Sequence, residues 1–179
     1  MPHASSNPLT ILILHDTWAT RELLSRCGSL SPEQFHQRFN FGIGSIHDTF
    51  LHIIAAMVRW SERIDGRPLT PWRGPEENAT KYSVQELISM LDDAGALLIE
   101  VADNVSKTGL DATINLGSGY SDAIPNAATS KAAAFIHVTT HGTHHRSQLF
   151  HMLRLVGVPL ESGNFDPVEW DLRQRTSQQ

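Results

Sequence analysis

Residues 137–151 read HVTTHGTHHRSQLFH and hold five of the chain's ten histidines. The run lies inside a segment that begins near Ser130 and continues to about Val156, where Gly157 and then Pro159 supply a stop. Within it Val138, His141, Gly142, His145, Leu149, Met152, Leu153 and Val156 recur at spacings of three and four, the signature of one helix face. That face is apolar and must be covered. His141 and His145 therefore point inward together, one turn apart. Two neutral imidazoles at i, i+4 can reach one metal ion, as in the metalloprotease helix motif. The alternative is a pair of core histidines hydrogen-bonded to backbone or to other helices, since a buried ring without a partner is costly. His137 is one turn before His141 and could support it from behind. His144 and His151 fall at the edge or in solvent.

Working outward, the chain offers three more amphipathic segments. Asn7-Pro8 is a helix start, and that helix runs to about Arg26 with Gly28 beyond it. SPEQF at 31–35 makes a short helical turn. Ser45, with Asp48 three residues on, caps a second long helix whose stripe is Ile46, Phe50, Ile53, Met57, Trp60 and Ile64. Gly66 and Pro68 end it, and residues 66–82 form a loop. Ser83 and Glu86 form a capping-box pattern ahead of a third helix that stops near Lys107. ATINL at 112–116 alternates weakly, as a short strand would, and GSGYSDAIPNAATS after it is turn-rich. Four long amphipathic helices with one irregular or β-like connection predict an all-α four-helix bundle. Residues 1–179 form a single domain, with the core at about 8–160 and a tail, 161–179, without strong periodicity.

A third metal ligand must come from another helix, and the second long helix offers His47 and His52. Neither lies at the centre of the stripe. His47 shares a flank with Leu51, Ile54 and Val58; His52 lies on the opposite flank near Thr49 and Ala56. Periodicity alone leans slightly toward His47 as the buried one and leaves the choice open.

Composition narrows the functional classes. With 40% hydrophobic and 18% charged residues the chain reads as an ordinary soluble globular domain. A net charge of −5 and no basic stripe argue against nucleic-acid binding. The longest apolar run, LTILIL at 9–14, is far short of a membrane span, and no signal-peptide pattern opens the chain. The lone Cys27 excludes an internal disulfide and cysteine-rich zinc sites, which fits a reducing cytoplasm.

GSIHDTFLHIIAAMVRW at 44–60, joined to HVTTHGTHHRSQL at 137–149, resembles the DinB-like (DNA-damage-inducible protein B) superfamily. LHDTWATRELL at 14–24 is similar to the family's first-helix pattern, and the resemblance spans about residues 8–160. It implies a four-helix bundle holding one divalent metal through three histidines: His52, in the family's L-H-I element, with His141 and His145. In some members a carboxylate stands where this chain has His141. The family often has glycine after the arginine of its last-helix signature; here that residue is Ser147, while Arg146 and Gln148 are kept. The family name carries no implication of DNA binding for this acidic chain.

Three neutral imidazoles leave an open position on the ion, the pattern of catalytic sites. Nickel or zinc suits the set best, and iron, manganese or copper also fit. The resemblance implies activation of a low-molecular-weight thiol, such as bacillithiol, mycothiol or glutathione, for S-transfer to an electrophile or for isomerisation. Activated water would give a hydrolase instead, and a non-catalytic metal-binding stress-response protein is the reading from another class. Asp16 and Asp48 are candidate acids behind the ligands, against a solvated face for the first and helix capping for the second. Gln148 could orient a ligand imidazole. Arg146 reads as a surface ion-pair partner ahead of a holder for a substrate carboxylate, Cys27 as a small core residue, Trp18 and Trp60 as fillers between helices, Trp60 also as a roof over the pocket. A homodimer is expected, from apolar helix surface and from the family's habit.

Overall fold

The computed structural model describes residues 7–71, 81–117, 124, 127–160 and 165–176. Its helices start and stop where local chemistry says they should. In α1 (Pro8–Arg26) the Asn7 side chain accepts from the Leu9 N–H and Pro8 occupies the first turn. A short α2 (Pro32–Phe35) follows, closed by a Ser31/Gln34 capping box. In α3 (Ile46–Asp65) Ser45 accepts from the Asp48 N–H, and Gly66 ends the helix at φ +74°, a left-handed cap that suits glycine. In α4 (Val84–Thr108) Ser83 and Glu86 bond each other's N–H, a complete capping box. Ser130 caps α5 (Lys131–Leu155) by accepting from Ala133 N–H.

The four long helices form a bundle in which α1 packs on α4 and α5, and α3 packs on the same two. Thus α1 lies diagonal to α3, and α4 to α5. The predicted stripe of α3 is buried throughout, with Phe50, Ile53, Met57 and Ile64 facing Leu87, Leu91 and Leu98 of α4 and Phe135, Leu149 and Leu153 of α5 in one core. Burial of each such side chain contributes about 1.5–3 kcal/mol. Gly95 permits close approach of α4 to α1, because a Cβ there would lie 2.7 Å from the Thr17 side chain.

Two elements depart from expectation. The α4–α5 connection contains a two-stranded antiparallel hairpin, β1 (Thr113–Gly117) with β2 (Ala127–Ser130), in which Thr113 pairs with Ser130. The predicted strand is there, but its partner falls inside the stretch read as turns. The tail also forms a helix, α6 (Pro167–Thr176), which Asp166 caps through the N–H groups of Val168 and Glu169. Trp170 is buried beneath α6 and packs against His15 and Trp18 of α1. Trp18 is therefore half-buried under the tail and not a filler between the long helices. Most of the predicted 66–82 loop and part of the turn-rich stretch lie outside the described residues. Among the described residues no helix is long and apolar enough to cross a membrane.

Candidate metal centre

The diagonal arrangement brings one flank of α3 against the histidine face of α5. His52 comes from α3; His141 and His145 come from successive turns of α5. The His52 and His141 Nε2 atoms are 3.0 Å apart, and those of His141 and His145 3.2 Å. One nitrogen from each of the three lies within 4.8 Å of the other two. Tetrahedral bonds of roughly 2.0–2.1 Å to a shared ion would put ligand nitrogens about 3.3 Å apart. The observed contacts, 3.0 and 3.2 Å, fall just short of that spacing, so a small outward shift of the rings would admit the ion.

The protonation chemistry favours an ion at that point. The Gln148 side-chain oxygen accepts from His145 Nδ1 at 2.8 Å, so the His145 proton sits on Nδ1 and its Nε2 offers a lone pair. The His141 Nε2 must then meet two neighbours, and one proton can make only one linear N–H···N bond. At least one of the two contacts is therefore left without a linear hydrogen bond, whereas a central cation would accept a lone pair from every ring at once. The rings are also held neutral. Burial first, then the neighbouring His145, pushes His52 down to about 4. Burial, followed by His145 and His52, pushes His141 down to about 3. Burial lowers His145 too, with Gln148 acting in the opposite direction. His141 Nδ1 is buried without a hydrogen-bond partner among the described residues. The residues present therefore fit a divalent ion.

Beside the triad lies a partly open pocket of about 180 Å³, lined by His52, Ala56, Arg59, Trp60, Arg63 and His141. Trp60 thus borders the pocket as expected. His137 is exposed; its ring lies 4.7 Å from that of Trp60 and 5.7 Å from that of His141, flanking the triad. His144 is exposed and accepts from Gln148 Nε2 at 3.0 Å, so one glutamine amide bridges two adjacent histidines. His151 is exposed against Phe41.

His47 is the more buried of the two α3 histidines, at 2% exposure, as its flank suggested. Burial does not bring it to the triad. Its Nε2 accepts from the Tyr82 N–H at 3.1 Å and its Nδ1 bonds Asp48 Oδ1 at 2.9 Å, which satisfies both ring nitrogens structurally. Asp48 is occupied there and with Arg38, 2.8 Å away, and its carboxylate reaches neither His52 nor α5's pair.

Asp16 and Arg146 require a larger correction. Neither lies on a solvated face: they are 3% and 7% exposed. Arg146 Nη1 meets Asp16 Oδ1 at 2.6 Å and also donates to Thr20 Oγ1, while Nη2 donates to Thr143 Oγ1. Burial raises the Asp16 carboxyl above its usual range, and the adjacent guanidinium opposes that shift. The pair joins α1 to α5 directly behind the histidines. Gly142 makes room for it, since a Cβ there would lie 2.7 Å from Asp16 Oδ1. Ser147, where the family often has glycine, is exposed and bonds Thr143 O, so it disturbs nothing. Cys27 is buried, and burial pushes its thiol up to about 12, far from nucleophilic use.

Comparison with known proteins agrees with this architecture. Protein DinB of Bacillus subtilis (strain 168) is 23% identical over 145 residues, covering 80% of this chain and 83% of its own length. The crystal structure of a DinB-like protein from Bacillus cereus ATCC 10987 superposes with a TM-score of 0.61 at 15% identity, covering 83% of this chain and 91% of the other. The DinB family model matches residues 6–173, including most of the tail helix. The chain belongs to the DinB family.

Proposed function

We propose that this protein is a metal-dependent enzyme in which His52, His141 and His145 hold one divalent ion, nickel or zinc foremost, and a low-molecular-weight thiol is activated for S-transfer or isomerisation. The observation that carries the reading is the approach of three imidazole Nε2 atoms, 3.0 and 3.2 Å apart, at the wall of an open pocket. A divalent ion with three protein ligands keeps a position free and supplies the Lewis acidity that lets a thiol lose its proton near neutral pH. The chain's own residues do the rest. The histidines stay neutral because burial resists their protonation. Gln148 holds the His145 proton on Nδ1 and directs its lone pair inward. Trp60 gives the entering molecule an apolar wall. Water in place of the thiol would give a hydrolase through the same residues.

Two measurements in sequence test this. Protein purified without a histidine tag should contain about one divalent ion per chain, as one three-ligand site requires, and His141→Ala should abolish it. Absence of stoichiometric metal ends the proposal. Metal-loaded protein is then screened by thermal shift against glutathione, mycothiol, bacillithiol and coenzyme A, and any stabilising thiol is assayed with an electrophile. A thiol that stabilises but is never turned over leaves a metal-binding protein without catalysis.

A further inference from the structure

We infer that the pocket beside the triad receives an oxyanion on the substrate, a carboxylate or phosphate, with Arg59 and Arg63 as specificity-determining residues; the position of the reacting end rests on the metal-centre reading above. His52, Ala56, Arg59, Trp60 and Arg63 follow one another along α3 at steps of one, three or four and line the same pocket. Side chains on a helix lean toward its N-terminus, which here is toward His52. Arg59 is seven residues from His52, so its backbone lies about 10 Å farther along the axis, and its head leans back over part of that span. The two arginines are only half-exposed, unlike solubilising surface cations.

Both guanidinium groups are pre-positioned. Arg59 Nη1 donates to the backbone oxygen of Thr70 at 2.5 Å, and no ion pair of Arg59 occurs among the described residues. Thr70 is itself clasped by the buried Glu62 carboxylate, which accepts from its N–H at 2.8 Å and from its hydroxyl. Arg63 lies with its Cζ 5.3 Å from the centre of the Trp60 ring. Arg63 also borders a second cavity of about 340 Å³ whose lining includes Asn115 and Lys131. Arg59, Arg63 and Lys131 thus stand in the walls of two cavities that share Arg63. Among the described residues the lining of the two cavities includes one acid, Asp65, which is bound to Arg67 at 2.5 Å. Guanidinium groups held at a pocket wall beside an apolar ring suit an anionic guest.

The test uses tag-free, cobalt-loaded full-length protein and follows the visible spectrum as thiols bind. The probes share one reactive end and chain length: 6-mercaptohexanoate, 6-mercaptohexyl phosphate and the neutral 6-mercaptohexan-1-ol. At least one anionic probe should bind about tenfold more tightly than the alcohol, the scale of a charge-assisted hydrogen-bonded pair. The better one names the oxyanion. Arg59→Gln/Arg63→Gln should bring the ratio to about threefold or less, while Arg59→Lys/Arg63→Lys should keep part of it. Equal binding of the three probes, or an anion preference that survives the double glutamine variant, overturns the inference. Should that variant not fold, salt decides with the wild type: the ratio must shrink as ionic strength rises from about 0.05 to 0.5 M. A ratio indifferent to salt refutes it. Should cobalt not bind at all, the metal-centre reading fails separately, and calorimetry of the metal-free protein with adipate against 1,6-hexanediol carries the test. Preference for adipate sustains the anion pocket, and no preference removes it.

Discussion

Gly142→Ala sets two rules against each other. Gly142 lies in the interior of α5, where alanine is favoured over glycine by about 1 kcal/mol on helix propensity alone. The structure opposes that gain. The new Cβ would stand 2.7 and 2.9 Å from the Asp16 carboxylate oxygens and 3.0 Å from Arg146 Nη1. Those atoms are the ends of side chains, but both are buried and bound to each other at 2.6 Å, so neither can swing into solvent. Separating a buried ion pair costs about 3–5 kcal/mol. Against the propensity gain, the net loss is about 2–4 kcal/mol, and for a chain of this size Tm falls by roughly 4–16 °C. Thermal and urea unfolding of metal-free protein measure it. A double-mutant cycle isolates the cause: in an Asp16→Ala background the same change should become neutral or stabilising by up to about 1 kcal/mol, because the space is vacated. A Gly142→Ala protein as stable as wild type, or the same loss in both backgrounds, refutes the reasoning.

Gln148→Ala should lower affinity for a divalent ion by about 10–100-fold in a chelator competition, because His145 loses the acceptor that fixes its tautomer. Acid should destabilise the metal-free protein through His52 and His141: their folded-state values, about 4 and about 3, lie below the ordinary 6.5, so unfolding takes up protons. That stability is complete above about pH 6.5 and is lost as pH falls toward the folded values; urea midpoints across this range should decline less steeply in His141→Ala. Trp170→Ala should release α6, at a cost of about 3–5 kcal/mol locally, so amides of 167–176 exchange hydrogen before those of the bundle.

The bundle was legible because its punctuation is chemical. Asn7-Pro8, Ser45, Ser83 with Glu86, and Ser130 mark helix starts with side chains that bond the first free N–H groups, and each does so. The tail helix carries the same mark, Asp166-Pro167, but its apolar residues Val168, Trp170 and Leu172 alternate and only Trp170 is buried, so no stripe announces it. Strand β2 was hidden because four residues, Ala127–Ser130, are too few to show a period, and its partner defines it. At the site, periodicity measured the wrong quantity. It ranks α3 positions by depth and so favours His47, whereas a residue that meets an incoming molecule must stand at the edge of a pocket, as His52 does. The Asp16–Arg146 bond joins residues 130 apart, and neither local spacing nor charge pattern reveals such a pairing.

That bond has a geometric consequence. In a greasy bundle little distinguishes one azimuth of a helix from another, because leucine packs almost equally well after a small turn about the axis. Successive residues are 100° apart around a helix, since 3.6 complete a turn. Arg146 is the immediate successor of His145, so anchoring its head on α1 dials α5 to the one setting in which His141 and His145 look toward α3. The latch sits on one side of the rod and aims the instrument on the other.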